Sequence, residues 1–190
     1  MKSLILTSTL LATAMLHTSA YAAGDGIINF TGNITNSTCT VNGSNNATID
    51  INMGTVAISE LSDGNGTDFG AETNINMNID CKDAGGLTAI TMKFAPHSGS
   101  GVNKVDSRLL RVDRENAGVG IGILDADNKL IDLGGIAETL PVTLDITPGT
   151  PETGRAKMVL RAAYIRAVAG ADLPVAGSAN GELPFTLSYP

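Results

Sequence analysis

Few residues in this chain have the types and spacing that chemistry needs. Cys39 and Cys81 could form a disulfide, hold a metal or supply a thiolate. A zinc site needs four closely spaced ligands, and beyond residue 22 the only histidine is His97. That histidine sits in Pro96-His97-Ser98-Gly99, with no Ser or Cys nucleophile motif around it, and no pair of carboxylates is marked out for acid–base work. Gly118-Val119-Gly120-Ile121-Gly122 has the glycines of a phosphate-binding loop, but that motif requires a helix after it, and here a second apolar run and a turn follow. Asp125-x-Asp127-Asn128 offers oxygen ligands, yet it lacks the glycine and bidentate glutamate of a calcium loop and reads as a hairpin turn. The sequence therefore predicts no enzyme, no cofactor and no metal.

The cysteines take their meaning from the N-terminus. Lys2 precedes a thirteen-residue apolar run, Leu4 to Leu16, and Ala20-Tyr21-Ala22 has the small residues of a secretory cleavage site. The run is too short to span a bilayer as a helix. Residues 1–22 are thus expected to be a signal peptide, leaving 168 residues and moving the net charge from −7 to −8 as Lys2 is lost. In an oxidising compartment two cysteines default to one disulfide. Closing a loop of this length stabilises a fold by ~4 kcal/mol through restriction of the unfolded chain.

The elements that carry these residues read as short strands. Ile28, Phe30, Gly32 and Ile34 share one face of Gly26–Ile34, and Ile49, Ile51 and Met53 share one face of Thr48–Met53. Alternation returns at Ile75–Cys81, Ile90–Phe94, Val119–Ile123, Leu140–Ile146 and Phe185–Tyr189, with Lys129–Leu133 following the turn. Ala156–Val168 is rich in Ala, Leu and Arg and would pass as helix on propensity, but its place in a series of strands predicts a strand. Asn42–Asn46, Ser62–Gly66 and Ser98–Gly101 read as loops. About nine such strands predict a one-domain antiparallel β-sandwich.

Composition agrees with a packing unit. Nineteen acidic against twelve basic residues, with no basic cluster, argue against a nucleic-acid partner. Beyond residue 22 no apolar run reaches the length of a membrane span. Aromatic residues make up 4% of the chain and there is no Trp, which disfavours the alternative of a secreted monomeric β-sandwich that binds carbohydrate or another ligand.

In order and spacing, several segments resemble the pilin subunits of the bacterial chaperone–usher pathway, similar to those of type 1 pili. These are Gly26 to Ile34, Thr38-Cys39-Thr40-Val41, Ile51-Asn52-Met53-Gly54, the Ile75–Cys81 strand and Val119 to Asp125. Leu160-Arg161-Ala162-Ala163-Tyr164, Gly177-Ser178-Ala179-Asn180 and the penultimate Tyr189 complete the set. The resemblance implies an immunoglobulin-like sandwich that lacks its last strand and is completed by donor-strand complementation. It implies a donor extension over 23–36 and a pilin domain over 37–190. Ile28, Phe30 and Ile34 would enter a neighbour's groove, with Gly32 at its tightest point. Gly177, Phe185, Leu187 and Tyr189 would mark the edge that meets the chaperone and borders the groove. Implied partners are other copies of the subunit, a periplasmic chaperone and an outer-membrane usher, with export to the cell surface. The length suits one pilin domain without a receptor-binding domain, which favours a major shaft subunit over a minor or adaptor one. Pro190 departs from the polar residue that more often ends such chains.

Overall fold

The computed structural model describes residues 38–65, 68–114, 117–135, 139–167 and 174–189. The proposed signal peptide and the Gly26–Ile34 run, with Ile28, Phe30, Gly32 and Ile34, lie outside the described residues. Among the described residues there are nine β-strands, two short 3-10 turns and no α-helix. The strands are β1 (Thr38–Val41), β2 (Glu72–Lys82), β3 (Ala89–Phe94), β4 (Leu110–Arg111), β5 (Val119–Leu124), β6 (Thr139–Thr143), β7 (Asp145–Thr147), β8 (Thr153–Arg166) and β9 (Phe185–Ser188).

They form two antiparallel sheets. The larger runs β1-β2-β8-β5-β4, with β7 also paired to β8, and the smaller runs β6-β3-β9. Period-two patterning decides which side chains meet between them. Met77, Ile79 and Cys81 of β2, Ile121 and Ile123 of β5, and Leu160 and Ala162 of β8 pack with Ile90 and Met92 of β3 and Val142 of β6. On the other side of β2, Asn74, Asn76 and Asn78 are exposed. This is the expected wet face of an antiparallel sheet.

Two departures from simple alternation have physical causes. The run Leu140–Ile146 does not stay in one sheet: β6 pairs with β3 and β7 with β8, so the chain changes layers at the buried Leu144. Strand β8 is indeed a strand, and its helix-like composition comes from burial on both faces. Ala162 faces the main core, while Ala163 and Ile165 enter a second cluster with Phe69, Leu109, Leu124 and Ala167. The glycines of β5 belong to this second cluster. A Cβ on Gly120 would lie 2.7 Å from Leu109 Cβ, and one on Gly122 would lie 2.4 Å from Ile165 Cδ1. Gly120 and Gly122 thus serve packing within a strand, while Gly118, just before it, has φ +68°. Asp125–Asn128 is the expected turn; its return through Lys129–Leu133 makes a single bridge, Leu124 to Leu130, rather than a strand.

Cys39 and Cys81 are joined by a disulfide, facing each other in the β1–β2 register. The bond fastens a four-residue strand to the edge of the larger sheet. After Val41 the chain leaves β2 through a turn in which Asn42 and Gly43 both have positive φ, and Val41 and Ser44 exchange backbone hydrogen bonds. Replacing both cysteines by Ala is expected to lower unfolding free energy by about 2–4 kcal/mol, with β1 freed from the sheet. Urea denaturation of the oxidised, reduced and double-Ala chains checks this: reduced and double-Ala chains should coincide.

Candidate functional site

The main core is not closed all round. A groove of about 1120 Å³ opens between the two sheets, floored by Ile75, Met77, Ile121, Ile123 and Leu160, all aliphatic or thioether side chains. Both rims carry the same alternation of burial. On one, Ala47, Ile49, Ile51 and Met53 are half-buried while Thr48, Asp50 and Asn52 are exposed. On the other, Phe185, Leu187 and Tyr189 are half-buried while Thr186 and Ser188 are exposed.

The rims also share an unfinished hydrogen-bonding pattern. Strand β9 pairs with β3 alone among the described strands, leaving its other edge toward the groove. Thr48–Met53, expected as a strand, belongs to no ladder of the described residues. The groove therefore offers apolar side chains from its floor and main-chain groups from its walls. That combination suits an added β-strand, which satisfies both, better than a sugar or a small polar ligand.

The segment before β9 is held by side chains. Arg114 donates through Nη1 to the Ala176 carbonyl at 2.6 Å and through Nη2 to the Val175 carbonyl. The Tyr164 hydroxyl donates to the Ala179 carbonyl at 2.9 Å. Asp113 accepts from Asn180 twice, from its backbone N–H at 3.1 Å and from Nδ2 at 2.8 Å, and returns its own N–H to the Asn180 carbonyl at 2.7 Å. The Asn180 hydrogen bonds hold the Asp113 carboxyl below the usual carboxylate range, the Nδ2 contact most of all. Burial, helped by the Asp113 charge, pushes the Tyr164 phenol up. Farther along, Ser100 and Glu182 exchange hydrogen bonds, and Ala95 donates to the Pro184 carbonyl.

The residues singled out from sequence fall into place unequally. Phe185, Leu187 and Tyr189 line the groove, and so does Cys39; Cys81 lies buried behind it. Gly177 is not a lining residue. It has φ +146° and packs against Arg114, whose Nη1 would lie 2.3 Å from an added Cβ, so it serves the approach to the rim. Ile28, Phe30, Gly32 and Ile34 lie outside the described residues. Sequence reasoning overlooked the opposite rim as part of a site, although its alternation was visible. It also overlooked Asp113 and Asn180, whose partnership spans 67 positions and leaves no local pattern.

A family model described as "Fimbrial protein" matches residues 28–190. The chain is 31% identical over 189 residues to long polar fimbria protein A of Salmonella typhimurium strain LT2, covering 94% of this chain and 92% of the relative. Among solved structures, a chaperone–usher pilus described for its rod uncoiling superposes with a TM-score of 0.55 at 19% identity, covering 88% of this chain and 96% of the other. The P pilus rod subunit PapA gives 0.50 at 18% identity, covering 80% and 99%. These likenesses establish the all-β pilin-type sandwich.

Two expectations test the rim. A Cβ on Gly99 would lie 2.3 Å from the Glu182 carbonyl oxygen and 2.5 Å from Pro184 Cδ. Gly99→Ala must therefore push the base of β9 outward, and it is expected to lower stability by about 1–3 kcal/mol in urea denaturation. Because the folded Asp113 carboxyl is depressed, its contribution to stability is complete above the ordinary carboxylate pKa of about 3.9 and is lost as pH falls through the lower folded value. Asp113→Asn should flatten that part of the acid-side decline in urea midpoints measured from pH 6 to pH 2.

Proposed function

The chain belongs to the fimbrial protein family, non-enzymatic structural subunits of surface fimbriae, and from that premise we propose that it polymerises by strand donation in a chaperone–usher pilus. In this reading the groove between residues 47–53 and β9 receives the N-terminal segment of the next copy. The observation that carries it is the matched alternation of the two rims, each half-buried on its groove side. Gly26–Ile34 has the complementary pattern, with Ile28, Phe30 and Ile34 on one face and Gly32 where close approach is needed. Burial of each large apolar side chain contributes ~1.5–3 kcal/mol, and main-chain bonds along both rims add specificity of direction.

A periplasmic chaperone would occupy the groove before assembly, pairing with β9, and an outer-membrane usher would be the place of exchange. One chain carrying both a donor segment and an acceptor groove can add to copies of itself repeatedly. That supports a major shaft subunit, a homopolymer, over a minor or adaptor role. The aromatic side chains also favour this reading over a sugar-binding one: Phe94, Tyr164, Phe185 and Tyr189 all turn into the groove wall, leaving no exposed stacking platform among the described residues.

Separate lesions in donor and groove test the proposal. Phe30→Arg is expected to give a chain that accepts a strand but cannot extend a filament, and Ile75→Arg in the groove floor the reverse. Expressed singly with a pilus chaperone and usher, neither should form fibres visible by electron microscopy. Normal fibres from the Phe30→Arg chain would sink the proposal.

A further inference from the structure

The proposed groove has a register problem. A one-residue slip of a docked strand turns its polar side chains inward and is excluded by the apolar floor. A two-residue slip keeps the same face inward, and a floor made of Ile75, Met77, Ile121, Ile123 and Leu160 discriminates poorly against it. Besides Gly32 on the donor side, something in the groove must set where the strand stops.

Two side-chain ties bracket the β9 rim. At its approach, Asp113 holds Asn180 through three hydrogen bonds of 2.7–3.1 Å, beside the Tyr164–Ala179 contact. At its end, the Tyr189 hydroxyl accepts the Cys39 N–H at 3.2 Å, joining the rim to the strand that the disulfide fastens to β2. Asn180, Cys39 and Tyr189 all line the groove. Between the ties, Glu182 is hydrogen-bonded to Ser100, Pro184 to Ala95, and Phe185–Ser188 to β3.

Resting on the strand-donation reading above, we propose that Asp113 and Tyr189 are positioning residues of the groove, fixing both ends of its β9 rim and so the register of the strand that docks there. The occupant is the Gly26–Ile34 segment of a second copy of this chain. Loss of either tie frees the rim beyond those bonds at one end, and the docked strand then samples positions two residues apart.

The test uses the full chain refolded from denaturant with an excess of a nitrogen-15-labelled synthetic peptide spanning residues 24–36. The wild-type chain is expected to hold the peptide in a single set of bound amide resonances. Tyr189→Phe, which removes only the hydroxyl, and Asp113→Ala are expected to show more than one bound set and release about tenfold faster, the scale of one lost hydrogen bond. Asp113→Asn keeps an acceptor for the Asn180 backbone N–H and should fall between. Should Asp113→Ala fail to refold, Tyr189→Phe and Asp113→Asn decide the matter. A single unchanged set of resonances in the variants, with release altered or not, overturns the positioning role and leaves strand donation standing. A wild-type chain that captures no peptide overturns strand donation itself.

Discussion

A sheet edge inside a sandwich has two demands at once: its main-chain groups need partners and its inward side chains need cover. Everything distinctive here arises where those demands meet along the slot between residues 47–53 and β9. Both rims present half-buried apolar residues in strict alternation, and β9 finds a described partner on one side only. The interior is otherwise well packed, with Ile79, Ile90 and Met92 almost wholly excluded from solvent. The slot is thus a local opening in a formed core, and among the described residues no strand lies between its walls to keep them apart.

The rest of the architecture supplies that separation. Strand β8 is stiffened by burial on both faces, and β5 is drawn against it by glycines that let Leu109 and Ile165 approach. The disulfide fixes β1 on β2 beside one wall. On the other wall, Arg114 and Tyr164 donate to the Val175, Ala176 and Ala179 carbonyls, and the Asp113 and Ser100 side chains accept the Asn180 and Glu182 N–H groups. Backbone polar groups near a core cannot be left unpaired cheaply, so these side chains do for residues 175–182 what a sheet does elsewhere. Gly177 and Gly99 are small because Arg114 and the Glu182–Pro184 backbone already fill the space beside them.

Much of this was legible in the residues. Period-two runs located β2, β3, β5 and β9, and the even cysteine count in an exported chain located the disulfide. What escaped was non-local. The second cluster erases alternation in β8 by burying Ala162 and Ala163 on opposite faces, so that the strand resembles a helix in composition. The split of 139–147 between sheets depends on where β3 and β8 lie, which no local pattern encodes. The groove was implied by the resemblance alone, and its second wall escaped. Ile49, Ile51 and Met53 look like any half-buried strand, and only their position opposite Phe185, Leu187 and Tyr189 reveals that a shared partner is wanted.

On the proposed reading, the geometry of this opening also dictates what assembly must look like. Donor and groove are different surfaces of one chain, so the contact between copies is heterologous, and such contacts propagate unless their rotation closes a ring. The docked strand would be covered on both edges and one face, so dissociation requires breaking two ladders and re-exposing its apolar side chains together. Such a contact holds mainly through a slow off-rate. A register error made at docking would be held just as long, and this is the physical reason for a groove to fix its ends before it receives a strand.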